Sequence, residues 1–202
     1  MAGVRLGVLG GTFDPVHRGH LALAAAARDE LALDEVLFVP AGRPWRKADS
    51  EISSHTDRLE MLRLALAGED AFAVSTVELE REGPSYTADT LQALHDERPD
   101  AELYFIVGAD ALADLPNWVR PERILELARL AVARRDDVDD EAVREAERRL
   151  PALATRVVWL SMPVLPVSAT EIRERVRRGQ PIEELVPAAV AAYIRERGLY
   201  RD

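Results

Sequence analysis

A pair of histidines that follows a glycine turn is the part of the sequence best suited to chemistry. Residues 6–20 read L-G-V-L-G-G-T-F-D-P-V-H-R-G-H, in which an apolar segment ends at Gly10-Gly11 and the histidines are His17 and His20. Glycine lets the backbone turn sharply or lie against a ligand, and the helix that follows directs its N–H groups and dipole toward an anion. Because residues three apart can share one side of a helical turn, we predict a phosphate site with two acid–base groups. The alternative is an ordinary strand-to-helix turn with a capping histidine.

A second candidate for anion binding lies near the C-terminal end, at residues 168–173. Ser168 and Glu171 have the spacing of a capping box, which marks the start of a helix. Thr170 and Arg173 would then lie in the first turn, where a guanidinium can bind two phosphate oxygens at once. The segment is either a simple helix start or a second phosphate contact.

Three weaker candidates stand where predicted strands end or predicted helices begin. Gly108-Ala109-Asp110 comes after an apolar segment, and Asp110 either caps a helix or contacts a ligand. Trp118 stands on a polar Pro-Asn turn, as a core aromatic or as a platform for a flat ring. Ser85-Tyr86-Thr87 precedes a helical pattern, with Thr87 as the expected N-cap.

Cations are concentrated in the loop at residues 41–47, which reads A-G-R-P-W-R-K. Arg43, Arg46 and Lys47 form either an ordinary solvated loop or a place where a polyanion is held. The net charge of −10 argues against general binding of nucleic acid, and it makes a local basic cluster informative. The acidic segment 136–147 is interpreted as a solvated helix face.

Apolar runs alternate with helical patterns along the chain. Strands are predicted at residues 4–9, 35–40, 72–77, 102–107, 130–133 and 157–160. Helices are predicted at residues 20–31, 57–67, 87–98, 111–115, 121–127, 139–150, 168–178, 181–185 and 187–197. The helix at 57–67 would open with a capping box of Asp57 and Glu60.

The alternation of strands and helices predicts an α/β fold. We expect a Rossmann-like, doubly wound parallel sheet of about six strands, with a C-terminal helical region from about 168 to 202, in a single domain spanning 1–202. Ligands of such sheets bind beyond the carboxyl ends of the strands. The candidate residues all follow strands or open helices, so we expect them to share that edge.

Composition limits the class of protein. The 202 residues are 48% hydrophobic and 31% charged, as in a globular protein in solution, and the absence of cysteine excludes disulfides and thiolate metal sites. Gly10, Gly11 and Asp14 interrupt the N-terminal apolar segment, so no signal peptide is expected, and no stretch is long enough to span a membrane. We therefore expect a cytoplasmic enzyme with no membrane or nucleic-acid partner. Whether it forms a homo-oligomer stays open.

The first segment resembles the G-G-T-F-D-P-x-H-x-G-H signature of the nucleotidyltransferase superfamily that contains the H-x-G-H motif, and residues 168–173 resemble its S-S-T-x-I-R motif. Trp118 and the S-Y-T-x-x-T-L stretch at 85–91 are similar to the nicotinate mononucleotide branch. The chain thus resembles the bacterial nicotinate-nucleotide adenylyltransferases. It departs from the family at Ala169, where the motif has a second serine, and at 44–47, where P-W-R-K replaces P-P-H-K. The role of the family's histidine is therefore withheld or passes to Arg46.

The resemblance implies a role for each matching residue. The ATP-binding residues would be Gly10, Gly11, Thr12, Phe13, His17, His20, Gly108, Asp110, Ser168, Thr170 and Arg173. The residues that bind the acceptor would be Arg46, Lys47, Ser85, Tyr86, Thr87 and Trp118. Catalysis would rest on His17, His20, Lys47 and Arg173.

The implied reaction transfers the adenylyl group of ATP to nicotinate mononucleotide, giving nicotinate adenine dinucleotide and pyrophosphate in NAD biosynthesis. Mg²⁺ would arrive with ATP and keep several waters, since no residue set resembles a dedicated metal site. The alternatives are another acceptor, either nicotinamide mononucleotide or phosphopantetheine, and a non-catalytic nucleotide sensor on the same fold. The intact histidine pair, Lys47 and Arg173 favour the enzyme, because binding alone would tolerate their loss.

Overall fold

The protein is described by a computed structural model that covers residues 3–42, 52–133, 140–161 and 165–201. The strands within these residues are β1 (Arg5–Gly11), β2 (Glu35–Pro40), β3 (Phe72–Val74), β4 (Glu102–Gly108), β5 (Ala128–Ala133) and β6 (Val157–Leu160). They form one sheet in the order β3-β2-β1-β4-β5-β6, and every neighbouring pair is parallel. The predicted doubly wound sheet of six strands is confirmed.

Helices connect the strands and continue the chain after the last one. They are α1 (Arg18–Leu31), α2 (His55–Leu66), α3 (Thr87–Glu97), α4 (Ala109–Asp114), α5 (Pro121–Leu127), α6 (Asp140–Arg149), α7 (Leu153–Arg156), α8 (Ala169–Arg177) and α9 (Ala188–Arg197). A short 3-10 turn, Leu115–Asn117, joins α4 to α5.

The central strands are apolar along almost their whole length because helices cover both faces of the sheet. In β2 the residues from Val36 to Pro40 are buried, and in β4 those from Leu103 to Val107. Helices α3 to α7 contribute to the hydrophobic cluster on one face, whereas α1, α2, α8 and α9 contribute to the cluster on the other. Continuous apolar runs are the pattern expected of parallel strands covered on both sides.

The strand order reverses at β1, which defines where a ligand can enter. Val8 of β1 pairs with Leu37 of β2 on one side and with Phe105 of β4 on the other. The chain leaves β1 toward one side of the sheet and later continues on the opposite side, so the loops at the carboxyl ends diverge and leave a crevice. This crevice is the edge at which the candidate residues were expected.

Some predicted boundaries were wrong for local reasons. Helix α1 begins two residues earlier than expected, because His17 occupies its N-cap. Strand β3 ends at Val74 rather than at residue 77, since the backbone turns where the Thr76 carbonyl accepts the N–H groups of residues 79 and 80. In α3 the N-cap position belongs to Tyr86, and Thr87 is the first helical residue instead of the cap.

The predicted capping pair of α2 was also wrong. The helix begins at His55, and its N-cap is Ser54, whose Oγ accepts a hydrogen bond from the Asp57 N–H (3.0 Å) and donates one to Asp57 Oδ2 (2.6 Å). Asp57 therefore lies inside the first turn as the partner of the cap. Residues 183–185 form a turn in place of the predicted helix there, whereas Leu153–Arg156 is a helix that the sequence did not predict.

Candidate active site

The loop between β1 and α1 is built around a buried phenylalanine. Phe13 has a left-handed backbone conformation (φ 51°) and is only 1% exposed. A Cβ on Gly11 would come within 3.1 Å of the Phe13 ring, so glycine at that position avoids a steric clash with the ring. The same ring meets the His20 imidazole edge-on, with the centroids 4.9 Å apart. Packing inside the loop thus fixes the position of one of the two histidines.

The two histidines lie against each other at the start of α1, as their spacing predicted. The His17 N–H donates a hydrogen bond to His20 Nδ1 (3.2 Å), and the two rings are stacked with centroids 3.6 Å apart. Because Nδ1 of His20 accepts, the proton of the neutral His20 ring lies on Nε2. A Cβ on Gly19 would come within 3.1 Å of His17 Nδ1, which explains the glycine between them.

Burial sets the charge of His17. The residue is 7% exposed, and its Nδ1 is buried without a hydrogen-bond partner among the described residues. Burial lowers the pKa of His17 to about 4, so the ring is neutral at pH 7. A buried polar atom without a partner is costly, and a ligand-binding site is one place where such an atom finds its partner. His17 would therefore contact an anion by hydrogen bonding rather than by full charge.

The second predicted anion segment lies directly against the first. Arg173 of α8 donates from Nη1 to the main-chain carbonyl of Asp14 in the β1–α1 loop, at 2.7 Å. Ser168 is the N-cap of α8, and its Oγ accepts the Glu171 N–H at 3.1 Å, as the capping-box spacing predicted. The second Arg173 nitrogen, Nη2, lies 3.4 Å from Thr170 Oγ1. Two helix starts and one guanidinium therefore converge on the same loop.

A cavity of about 240 Å³ opens beside that loop, beyond the carboxyl ends of β1, β2 and β4. Its lining combines backbone of the glycine turn, polar side chains from the start of α3, and aromatic rings. The lining residues are Val8, Gly10, Gly11, Thr12, Val39, Ala41, Glu78, Ser85, Thr87, Thr90, Leu91, Phe105 and Trp118. Three of the residues predicted to bind an acceptor thus share one cavity with three of those predicted to bind ATP.

Two walls of the cavity are held by specific contacts. Trp118 donates from Nε1 to Asp114 Oδ2 (2.9 Å), and its ring meets Phe105 edge-on at 6.1 Å, so it is both a packed aromatic and a lining residue. On the other wall the Gly42 N–H donates to Ser85 Oγ at 3.1 Å. A Cβ on Gly42 would come within 2.2 Å of the Glu78 carbonyl oxygen, so no larger residue fits there.

Other predicted residues lie outside the cavity or outside the described structure. Tyr86 caps α3 and is not among the lining residues. Gly108 is the last residue of β4 and Asp110 the second of α4, at the same edge of the sheet but beyond the lining. Arg46 and Lys47 lie outside the described residues.

Sequence reasoning missed an acidic group in the cavity. Glu78 is 8% exposed, and its Oε1 accepts a hydrogen bond from Thr90 Oγ1 at 2.6 Å. Arg81 donates from Nη2 to the same threonine oxygen at 3.1 Å, which brings a positive charge close to the carboxylate. The only signal in the sequence was that Glu78 lies in a polar segment after a strand, which also describes many ordinary turns.

The described part of the chain contains neither a candidate metal cluster nor a membrane-spanning helix. No group of three or more His, Asp or Glu side chains there could hold a metal ion. No helix among the same residues is long and apolar enough to cross a membrane.

A family model and the sequences of known proteins both identify the class of protein to which this chain belongs. Residues 8–175 match the family model described as Cytidylyltransferase-like, which places the chain in that class of nucleotidyltransferases. The chain is 46% identical over 201 residues to a probable nicotinate-nucleotide adenylyltransferase of Dehalococcoides mccartyi, covering 99% of this chain and 98% of that protein. It is 47% identical to one of Roseiflexus sp., covering all of both chains. The chain therefore belongs to the nicotinate-nucleotide adenylyltransferase family.

Solved structures agree on the fold. The nicotinic acid mononucleotide adenylyltransferase of Plasmodium falciparum, complexed with NaAD, has a TM-score of 0.78 with this chain at 19% sequence identity, covering 98% of this chain and 97% of that one. A putative nicotinate-nucleotide adenylyltransferase of Vibrio parahaemolyticus has a TM-score of 0.70 at 18% identity, covering 98% and 96%.

Proposed function

We infer that the chain transfers the adenylyl group of ATP to nicotinate mononucleotide, forming nicotinate adenine dinucleotide and pyrophosphate in NAD biosynthesis. The observation that carries this proposal is the position of Gly10 to Thr12, which border the cavity and lead directly into the loop held by Arg173. A mononucleotide in the cavity and a triphosphate at the two helix starts would meet across this short backbone segment. The full-length relatives with this activity in their names support the same reaction.

The chemistry needs positioning rather than a protein nucleophile. The phosphate of the mononucleotide is ionised at neutral pH and attacks the α-phosphorus of ATP in line, while pyrophosphate leaves. The protein's task is to hold two polyanions together and to stabilise the charge that develops on the leaving group. His17, His20 and Arg173 fit this task, and we keep Lys47 as a fourth contributor on the strength of the resemblance alone.

Binding roles follow from where each residue lies. We assign ATP to the glycine loop, the histidines and the start of α8, including Phe13, Ser168 and Thr170, and we keep Gly108 and Asp110 as its contacts at the end of β4. The acceptor is assigned to the cavity, with Trp118 against the pyridine ring and the start of α3, at Ser85 and Thr87, near its carboxylate. Tyr86 and Arg46 stay assigned to the acceptor by resemblance. Mg²⁺ is proposed to enter with ATP as part of the substrate.

The test is incubation of the purified chain with ATP, Mg²⁺ and one acceptor at a time, with chromatography of the products. Nicotinate mononucleotide should give nicotinate adenine dinucleotide and an equal amount of pyrophosphate. Preferred use of nicotinamide mononucleotide or phosphopantetheine would show that the chain is an adenylyltransferase for that acceptor instead. Nucleotide binding without turnover of any acceptor would identify a sensor. The cytoplasmic location predicted from the sequence stays part of this proposal.

A further inference from the structure

The C-terminal end of the described chain returns to the loop that holds the histidines. Helix α9 ends at Arg197, Gly198 follows in a left-handed conformation (φ 64°), and Tyr200 also has a positive φ of 62°. The Tyr200 hydroxyl donates a hydrogen bond of 2.6 Å to Asp14 Oδ1. The contact joins residues 186 positions apart in the sequence.

Asp14 is buried, and two different parts of it are held. The residue is 4% exposed, and its second carboxylate oxygen, Oδ2, accepts the Ser53 N–H at 3.2 Å. Its main-chain carbonyl accepts the hydrogen bond from Arg173 Nη1 at 2.7 Å. The carboxylate is thus bound by Tyr200 and Ser53, while the carbonyl binds the guanidinium proposed to contact ATP.

A second cation, Arg58, also lies near this carboxylate and attracts it. Arg58 of α2 is 1% exposed and donates from Nη1 to the Thr12 carbonyl (2.9 Å) and from Nε to the Ser53 carbonyl (3.2 Å). Burial lowers the pKa of Arg58, and the nearby Asp14 carboxylate partly offsets that effect. Two guanidinium groups therefore lie on the loop around one buried carboxylate, so the direction in which that carboxylate points determines which of them it neutralises.

The Tyr200 hydroxyl keeps its proton at neutral pH and therefore stays a hydrogen-bond donor. Burial, followed by the adjacent Asp14 charge, raises the pKa of Tyr200, so the phenol does not ionise at neutral pH. A neutral donor binds the carboxylate without cancelling its charge, and it leaves the charge available to Arg58.

We propose that Tyr200 is a positioning residue for the ATP site: its hydroxyl bond keeps the Asp14 carboxylate away from Arg173, so that this guanidinium, anchored through the Asp14 carbonyl, stays directed at phosphate. The proposal rests on the proposed assignment of Arg173 to ATP. Without the hydroxyl, the carboxylate would lose its closest partner in a buried setting and would pair with Arg173, the less buried of the two arginines. ATP affinity would fall while the acceptor cavity stayed intact.

The chain offers a matched control in Tyr193. Its hydroxyl donates to Asp57 Oδ1 at 2.9 Å, so it too links the C-terminal part of the chain to a carboxylate, here at the start of α2. Tyr193→Phe and Tyr200→Phe each remove one tyrosine–aspartate hydrogen bond and keep the ring. Only Tyr200→Phe alters a contact of the loop that holds Arg173.

The test measures the Kd of a non-hydrolysable ATP analogue with Mg²⁺ by calorimetry, without acceptor, and the KM of each substrate in turnover. Tyr200→Phe should raise the analogue Kd about tenfold, which is a large part of the increase expected when a phosphate contact is lost altogether. The acceptor KM should stay within about twofold of the wild-type value. Tyr193→Phe should leave both unchanged. In an Arg173→Gln background, Tyr200→Phe should add little, because the arginine to be captured is gone.

Three results would overturn the proposal: an unchanged analogue Kd in folded Tyr200→Phe, an equal loss in Tyr193→Phe, or an undiminished Tyr200→Phe effect in the Arg173→Gln background. If Tyr200→Phe unfolds, Tyr200→Met, whose flexible apolar side chain fills the site without a donor, takes its place in the same comparison. The binding measurement needs no acceptor. A wrong acceptor assignment would therefore appear only in the wild-type turnover assay, and the comparison of analogue Kd values would still be valid.

Discussion

The imidazole rings of His17 and His20 are stacked, with centroids 3.6 Å apart and planes at 22°. Two protonated rings at this distance would repel, so the pair carries at most one positive charge. Because burial lowers the pKa of His17 to about 4, His17 is the ring that stays neutral. The pair therefore offers an anion hydrogen-bonding groups in a fixed geometry, and His17 adds no charge at neutral pH.

Replacing His20 with alanine should lower turnover about 100- to 1000-fold, because loss of one preorganised donor to developing charge typically costs ~3–4 kcal/mol. Steady-state kinetics on the folded variant measures this effect. His95→Ala, on α3, removes a histidine away from the cavity lining and should leave turnover unchanged. Near-normal turnover in a folded His20→Ala protein would exclude the assigned role.

Replacing Arg173 with lysine should raise the KM for ATP more than the KM for the acceptor. Lysine keeps the charge but loses the planar fork, so it cannot bind the Asp14 carbonyl and a phosphate with fixed geometry. Arg175→Lys is the control, since Arg175 lies on the same helix and pairs with Glu171 at 2.7 Å. If only the acceptor KM changed, Arg173 would belong to the other substrate.

Burial of His17 predicts a loss of stability in mild acid. Its pKa is about 4 in the folded chain and 6.5 for an unperturbed histidine, so between these pH values the unfolded chain binds a proton that the folded chain does not. The contribution is fully present above about pH 6.5 and is lost as pH falls toward 4. Between pH 7 and pH 5 it amounts to about 2 kcal/mol in the free energy of unfolding.

Urea unfolding of wild type and His17→Gln at both pH values checks this contribution. Glutamine does not titrate, so the drop in unfolding free energy between pH 7 and pH 5 should be smaller in the variant by about that amount. Equal drops in the two proteins would mean that His17 is not buried in its neutral form.

The local parts of this structure were predictable from sequence, because each has a cause within a few residues. The strand that ends at Gly10-Gly11, the histidine pair, and the Ser168–Glu171 cap are of this kind. The bonds around Asp14 are not, since Arg173 and Tyr200 reach it across 159 and 186 residues. No local pattern marks such contacts, and only packing of α8 and the C-terminal turn against the loop creates them.

The start of α2 shows how a local signal can still mislead. Asp57 and Glu60 have capping-box spacing, but so do Ser54 and Asp57, and the structure uses the second pair. Asp57 also accepts hydrogen bonds from Tyr193 and Arg197 of α9, which hold it inside the helix. Tertiary contacts therefore decided between two equivalent sequence patterns.

The central claim is adenylyl transfer to an acceptor that carries a carboxylate. Ser85 and Thr87 line the cavity at the start of α3, where helix N–H groups favour a negative group by ~0.3–1 kcal/mol or more each. A carboxamide presents N–H₂ to the same donors, and burying that mismatch costs about 1–3 kcal/mol. Trp118 can stack on either ring, so it contributes nothing to the choice.

The most direct test is the ratio of kcat/KM for nicotinate mononucleotide to that for nicotinamide mononucleotide, measured with saturating ATP and Mg²⁺. Each 1.4 kcal/mol corresponds to a factor of ten, so the acid should be preferred by roughly ten- to several-hundred-fold. Comparable efficiency with the acid and the amide would contradict the carboxylate pocket, and absence of dinucleotide product from either would contradict adenylyl transfer itself.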